Sequence, residues 1–405
     1  DESSASFCPS PSGVGPLLPS LLHELRPEID EWRSKQGLDA SAGGGGATST
    51  EDWFLSSDRA DAAGGRTNLP DLRDEVPLTL AVPAMASRFG LAMLGARTAR
   101  DGMQAMAGDG TPPAASRQGA WLHVLGGTGR RGSSDGTAAA QFDRFGSYGP
   151  AYDIAFSGLQ AGFGQDAGEF AGGIGNLVGL YVGSGRVSGD VDAVYGGEAG
   201  TVSMDAHSLG GVWTLHGGGS WYLEAVAQGT FYDRVKIASV AGQSLETRGW
   251  GMLAAVEGGY RIGLPGGWTA DPQVQFLYQG LRFDNVSDQY GQVDYRPSDT
   301  AFTRFGLQFA RDWSRQGMQP LSAWLRGDLW QGFAADAEAT YTSLAGAHPL
   351  TLSTDLGGRW LEMGAGVAAR LAPQVGISAS GSYDFRIDGD SGAGFGGRIG
   401  LRVAW

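Results

Sequence analysis

FGGRIGLRVAW, Phe395 to Trp405, alternates along its length. Phe395, Ile399, Leu401, Val403 and Trp405 share one parity of a period-2 pattern, while Arg398 and Arg402 share the other. Successive side chains of a strand point to opposite faces, so the stretch reads as a strand with an apolar side and a basic side. An unpaired strand edge invites pairing, and this last strand is expected to be an edge that must be recognised or paired.

The alternation recurs upstream. Trp250, Met252, Ala254, Val256, Tyr260 and Ile262 alternate with Glu257, Gly259 and Arg261, and Val375, Ile377, Ala379, Tyr383, Phe385 and Ile387 alternate with Ser378, Ser380, Ser382, Asp384 and Arg386. Strands of soluble folds average about five or six residues. These segments run to twelve or more and number twelve, at about 119–131, 150–165, 173–187, 199–215, 219–235, 246–263, 267–283, 299–314, 319–335, 356–372, 374–388 and 393–405. Connections after even-numbered segments are short, as in LHGGG from Leu215 and LAPQ from Leu371, whereas most after odd-numbered ones are long, as in 132–149, 283–298 and 335–355. Long strands with one apolar face, an even count and alternating loop length mark a barrel with lipid outside, short periplasmic turns and long extracellular loops. Trp121, Tyr152, Trp213, Trp221, Tyr222, Trp250, Trp268, Trp313, Trp360 and Trp405 sit near strand ends, where aromatic girdles at the two membrane interfaces are expected.

Composition agrees. The 405 residues include 69 Gly, charged residues make up 18% and aromatics 10%, and no apolar run approaches the length of a spanning helix. A formal charge of -14 argues against a nucleic-acid partner. Cys8 is alone, so no disulfide or Cys-based metal site forms within the chain, and no cofactor is expected. DESSASFCPS at the start lacks the plan of a signal peptide, which leaves a mature or truncated piece as the expectation for a membrane barrel.

Three regions are expected: 1–74, a junction with an amphipathic helix over 17–37 and a Gly-rich linker over 39–50; 75–117, a pore-spanning α-helix and linker; and 118–405, the barrel. In the second, Met85, Phe89, Ala92, Met93 and Ala96 line one helical face, and Arg88, Arg97 and Arg100 interrupt the rest. Those charges make a lipid-exposed span costly. A helix from Pro83 to Met106 would be roughly 36 Å long at 1.5 Å per residue, enough to cross inside a barrel. Twelve strands lie between the filled lumen of eight and the open channel of sixteen, so one helix fits. The inward faces are expected to carry Glu224, Glu257, Asp271, Asp312, Asp328, Glu362 and Asp384 as partners for the helix arginines, among wall arginines 261, 304, 326, 370, 386 and 398. The expected fold class is all-β, a twelve-stranded antiparallel transmembrane β-barrel with an N-terminal α-helix in the pore.

This order of parts resembles the C-terminal translocator of the classical monomeric autotransporters, the type V secretion family. The matching stretches include EVPLTLAVPAMASRFGLAMLG, WLHVLGGTGRRG, YDIAFSGLQAGFG, PQVQFLYQGLRFDNVSD, TRFGLQFARDW and FGGRIGLRVAW, with DWFLSS at 52–57 similar to the last turn of a passenger β-helix. The likeness covers roughly 52–405; residues 1–50 match no part of the family. It implies a monomeric barrel in the outer membrane of a Gram-negative bacterium that enables export of an upstream passenger to the cell surface. It also implies outer-membrane lipid and lipopolysaccharide, the barrel assembly machinery, periplasmic chaperones and the chain's own passenger as partners, and no nucleic acid. Arg398, Gly400, Val403 and Trp405 then fit the family's C-terminal assembly signal.

The alternative reading is a stand-alone outer-membrane pore or surface adhesin acting through its loops; a soluble β-rich enzyme is the third. GDSG at 389–392 is the tetrapeptide of a serine-protease nucleophile loop, but it falls in an expected tight extracellular turn, and none of the five histidines has the context of a base. His207 and His216 would need further ligands to hold a metal. Some family members cut their own passenger with an Asn in the pore; the expected helix has none, and Asp101 and Asp109 are the carboxylates available for a related step. The chain is expected not to be an enzyme.

Overall fold

Strands that are apolar on one side and polar on the other must bury one of them, and here it is the polar side. The computed structural model describes residues 55–56, 71–94, 118–133, 137–170, 172–217, 220–288, 290–313, 320–333, 335–344 and 349–405. Among these, twelve long antiparallel strands form one sheet: β1 (Gly119–Arg131), β2 (Tyr152–Phe170), β3 (Ile174–Asp192), β4 (Glu198–Gly217), β5 (Trp221–Ser239), β6 (Ser244–Tyr260, continued past Arg261 by Ile262–Leu264), β7 (Trp268–Phe283), β8 (Ser298–Trp313), β9 (Leu321–Phe333), β10 (Arg359–Ala372), β11 (Val375–Arg386) and β12 (Gly392–Ala404). Each pairs with its sequence neighbours. β12 also pairs with β1 along its whole length, from Gly392 opposite Arg131 to Ala404 opposite Gly119. Closure leaves no sheet edge, which is what a bilayer demands of a β-structure.

The side chains are sorted inside out. Leu180, Ile399, Phe231 and Met363 stand out from the wall at 69%, 67%, 66% and 63% exposure, whereas Glu257, Gln275, Arg304 and Asp328 are buried within it. In a soluble fold this would be a large exposed apolar surface; in a bilayer it is the lipid contact. The aromatic expectation is corrected in part. Trp213, Trp221, Trp250, Trp268, Trp313 and Trp405 face outward, but Trp121 and Tyr152 are buried inside. Trp360 stacks on the buried Trp330 with centroids 5.3 Å apart, and Tyr222 turns its hydroxyl to Glu257. Nearness to a strand end does not choose the face. Parity does, and Trp121 shares the parity of the buried His123 and Leu125.

The long connections fold into structure of their own. The β1–β2 connection holds helix α2 (Ala138–Tyr148), whose first turn is capped by Thr137. The β7–β8 connection supplies Val286–Ser287 and Gly291–Tyr295, the β9–β10 connection supplies Asp336–Ser343 and Leu350–Asp355, and all four segments form one antiparallel sheet joined where 291–295 pairs with 336–343. Upstream, Leu55–Ser56 pairs with Asp71–Leu72.

Helix α1 spans Glu75–Ala92, so it starts eight residues before the expected Pro83 and ends well before Met106. The reason lies in two prolines. Pro77, not Pro83, occupies the first turn, where a missing N–H costs nothing. Pro83 sits mid-helix. Fifteen of the eighteen residues are buried, so the helix is enclosed on nearly all sides, its mostly apolar surface broken by Glu75, Thr79, Ser87 and Arg88. The expected elements over 17–37 and 39–50, together with Ala96, Arg97, Arg100, Asp101 and Asp109, lie outside the described residues.

Candidate functional site

The site is the lumen and the helix it holds. Glycines shape the seat. Gly183, Gly185 and Gly189 alternate along the inward face of β3, and a Cβ added at Gly185 would come 2.8 Å from Phe89, and at Gly189 2.6 Å from Met85. Bare backbone there is what lets Met85, Phe89 and Met93, all fully buried, pack against the wall.

The two helix ends are held by side chains of the barrel and its loops. Near the start, Pro83 has no N–H to give to the Thr79 carbonyl, which would otherwise be left without its helical partner. Tyr295 from the loop sheet donates its hydroxyl to that carbonyl at 3.1 Å. Tyr341 donates to the Val76 carbonyl at 3.2 Å and shares a 2.7 Å hydrogen bond with the Thr79 hydroxyl. Burial pushes both phenols up from their ordinary range, so they remain protonated donors. Midway, Tyr232 donates to the Ala86 carbonyl at 2.8 Å, and the Gln279 amide oxygen accepts from the Ser87 hydroxyl at 2.7 Å. At the C-terminus, where the last carbonyls lack intrahelical donors, Arg398 donates to Ala92 at 3.1 Å and Gln160 to Met93 at 2.8 Å. A cation suits that end of the helix dipole. Arg88 joins the helix side to Asp384 at 2.6 and 2.8 Å.

Beyond the helix, Leu94 packs in a ring with Trp121, Tyr181, Leu253, Leu277, Phe302 and Trp330. Phe302 stands opposite Leu277, whereas Arg304 stands opposite Gln275, so the next layer toward the short turns is charged. The fully buried Arg304 donates to Glu257, Asp328, Gln273 and Gln275. Arg326 lies 2.8 Å from Asp328 and 3.7 Å from Glu362.

The acids singled out in the sequence are therefore spread through the lumen. Asp384 takes the helix arginine Arg88. Glu257, Asp328 and Glu362 take wall arginines, Glu224 accepts from Thr214 at 3.0 Å, Asp271 is buried in the wall, and Asp312 accepts from Ser322 at the turn end. Arg398 belongs to the helix C-terminus, Val403 and Trp405 face outward with Trp405 stacked on Phe163, and Gly400 leaves room for the His123 ring. GDSG holds a structural carboxylate: the buried Asp390 is 3.2 Å from both Arg131 and Arg144, tying α2 to the β11–β12 hairpin. Sequence reading missed Gln160, Tyr232, Gln279, Tyr295 and Tyr341. The Gly183–Gly185–Gly189 spacing was the one local signal of a close neighbour inside the wall; the tyrosines carried none.

A closed, lipid-facing antiparallel barrel of twelve strands, with a helix threaded in its lumen, defines the class: an outer-membrane translocator barrel. The model of the autotransporter β-domain matches residues 120–384, and the chain belongs to that family. It is 27% identical over 264 residues to the adhesin BmaC autotransporter of Brucella suis, covering 62% of this chain and 7% of that protein. It is 28% identical over 247 residues to the BrkA autotransporter of Bordetella pertussis, covering 58% of this chain and 22% of that protein. The chain thus spans a small part of the length of the relatives it matches. The β-domain structure of the Bordetella autotransporter BrkA shares the fold with a TM-score of 0.53 at 22% identity, over 71% of this chain and all of that one. The translocator domain of NalP from Neisseria meningitidis does so with a TM-score of 0.58 at 13% identity, over 80% and 99%. This family and fold are those of translocators of the outer membrane, not of enzymes.

Proposed function

We propose that this barrel carries its own upstream segment outward through the lumen, with the long connections at the cell surface and the short turns in the periplasm. The observation that supports it is the direction of α1. Its N-terminal end lies under the loop sheet at Tyr295 and Tyr341, and its C-terminal end points down the lumen toward the turn end, where β1 begins. A chain preceding Glu75 then emerges among the loops, which is where an exported passenger belongs. On this reading residues 1–74 are the passenger junction, 75–117 the pore segment and 118–405 the membrane domain, and Arg398, Gly400, Val403 and Trp405 form the signal read by the assembly machinery. Periplasmic chaperones keep the unfolded barrel soluble, the folded barrel works as a monomer, and no step is catalytic.

Cys8, the chain's single cysteine, is a natural reporter. On intact cells it should react with a membrane-impermeant thiol reagent. In a Cys8→Ser background, a cysteine at the exposed turn residue Gln374 should react only after lysis. The reverse pattern would overturn both the export direction and the assignment of loops to the outside.

A further inference from the structure

The loop-end part of the outer wall carries a charged group that neither the lumen nor strand closure uses. Arg186 on β3, Asp205 on β4 and Asp233 on β5 stand opposite one another in register. Arg186 donates through Nε to Asp205 Oδ1 at 2.9 Å, and Arg234 Nη2 lies 2.6 Å from Oδ2. Both arginine side chains remain largely exposed, at 69% and 63%, while Asp205 is 12% exposed. Both guanidinium groups share the Asp205 carboxylate, and Asp233 Oδ2 lies 4.0 Å from Arg234 Nε, so two arginines are balanced by two carboxylates while several fork donors remain for a further anion.

The backbone is distorted to put Arg234 there. A bulge between Tyr232 and Val235 leaves Asp233 and Arg234 both on the outward side, with Tyr232 and Val235 buried. Arg234 adopts φ 47°, and among the described residues every other positive φ falls on a glycine. In a chain with 69 glycines, an arginine in a glycine-favouring conformation is strain retained for its side chain. Arg248 on β6 is exposed beside it, and the exposed Lys236 on β5 pairs with Glu246 on β6 at 3.4 Å. Toward the turns the next outward row is Ser184, His207 and Phe231, followed by the exposed Val182 and Leu209, with Trp250 opposite Phe231. Four cations, Arg186, Arg234, Lys236 and Arg248, and three carboxylates, Asp205, Asp233 and Glu246, sit at the upper border of the lipid-facing belt, which leaves one net positive charge there.

We propose that Arg186 and Arg234 bind the phosphate of a lipopolysaccharide in the outer leaflet, with its acyl chains lying on Phe231, Leu209 and Val182. Bidentate guanidinium donors match a phosphate, and the apolar border below matches the chains it is attached to. The proposal rests on the outward placement of the long connections.

The test titrates the full folded chain in detergent micelles with purified lipopolysaccharide, with dephosphorylated lipopolysaccharide, and with phosphatidylglycerol, reading bound lipid by native mass spectrometry. Arg186→Gln with Arg234→Gly removes both cations while the glycine keeps the bulge, and a heat-modifiable gel band reports folding. Lipopolysaccharide should bind the wild-type chain, and the double variant should bind it roughly tenfold more weakly. The dephosphorylated form should bind as weakly to the wild-type chain, a comparison that needs no variant to fold. Unchanged binding in the folded variant, or equal binding of the dephosphorylated form, would overturn the site. Equal, arginine-dependent binding of phosphatidylglycerol would overturn the assignment to lipopolysaccharide. Micelles have no inside or outside, so this result is independent of the cysteine labelling that tests orientation.

Discussion

Arg304 shows what one residue does in this lumen. A guanidinium taken out of water costs several kcal/mol, and partners recover that cost only when they are charged and well placed. Here Asp328 approaches from the neighbouring β9 and Glu257 from β6, one strand beyond β7, and Gln273 and Gln275 on β7 accept as well. Removing the cation alone leaves two carboxylates buried without it. Arg304→Ala should therefore cost about 3–5 kcal/mol, measured as the urea midpoint of the barrel in vesicles. Arg304→Met combined with Glu257→Gln and Asp328→Asn should recover most of that loss, because no uncompensated charge is left behind. A single variant as stable as the wild-type chain would mean that water, not Arg304, satisfies those acids. The sequence placed Arg304, Glu257 and Asp328 on inward faces by parity alone. It could not pair them, because strands β6, β8 and β9 each admit several partners until register is set.

The helix is the element on which the fold and the sequence diverge most. Its span from Glu75 to Ala92 was not legible, because Pro83 is a good helix start and a poor helix interior. The interior position is tolerated because Tyr295, more than two hundred residues away, supplies the donor that Pro83 lacks. A double-mutant cycle tests this directly. Tyr295→Phe should destabilise the seated helix by about 1–3 kcal/mol, the cost of a buried carbonyl left unpaired. In a Pro83→Ala background the helix regains its own N–H donor to Thr79, and the same Tyr295→Phe change should cost far less. Hydrogen exchange of the Leu80 to Ser87 amides reads both arms. Equal costs in the two backgrounds would show that the tyrosine acts by packing.

At the scale of the molecule, closure depends on β12 meeting β1 over thirteen residue pairs. Val403 and Trp405 lie on the outward side of that last strand, where lipid contact and the proposed assembly signal make the same demand. The two can be separated. Val403→Ala with Trp405→Ala should sharply reduce folded barrel in the outer membrane, seen as loss of the heat-modifiable band. Phe305→Ala with Leu325→Ala removes a lipid-facing pair from β8 and β9, both exposed in the same belt, and should leave most of the barrel assembled. Equal losses from the two pairs would reduce the C-terminal residues to ordinary lipid contact.

The twelve strands, their inward and outward faces and the sorting of short turns from long connections were set by local sequence. A period of two and the chemistry of lipid against water act residue by residue, so no distant partner is needed to read them. The tertiary structure alone decided where the helix begins, which side chains hold it, that the long connections join into a sheet above it, and that Asp390 ties α2 to the last hairpin. Each of these depends on groups far apart in sequence whose meeting requires the barrel to have closed first. A tyrosine hydroxyl or a buried arginine carries no periodicity, and its partner exists only once the strands are in register.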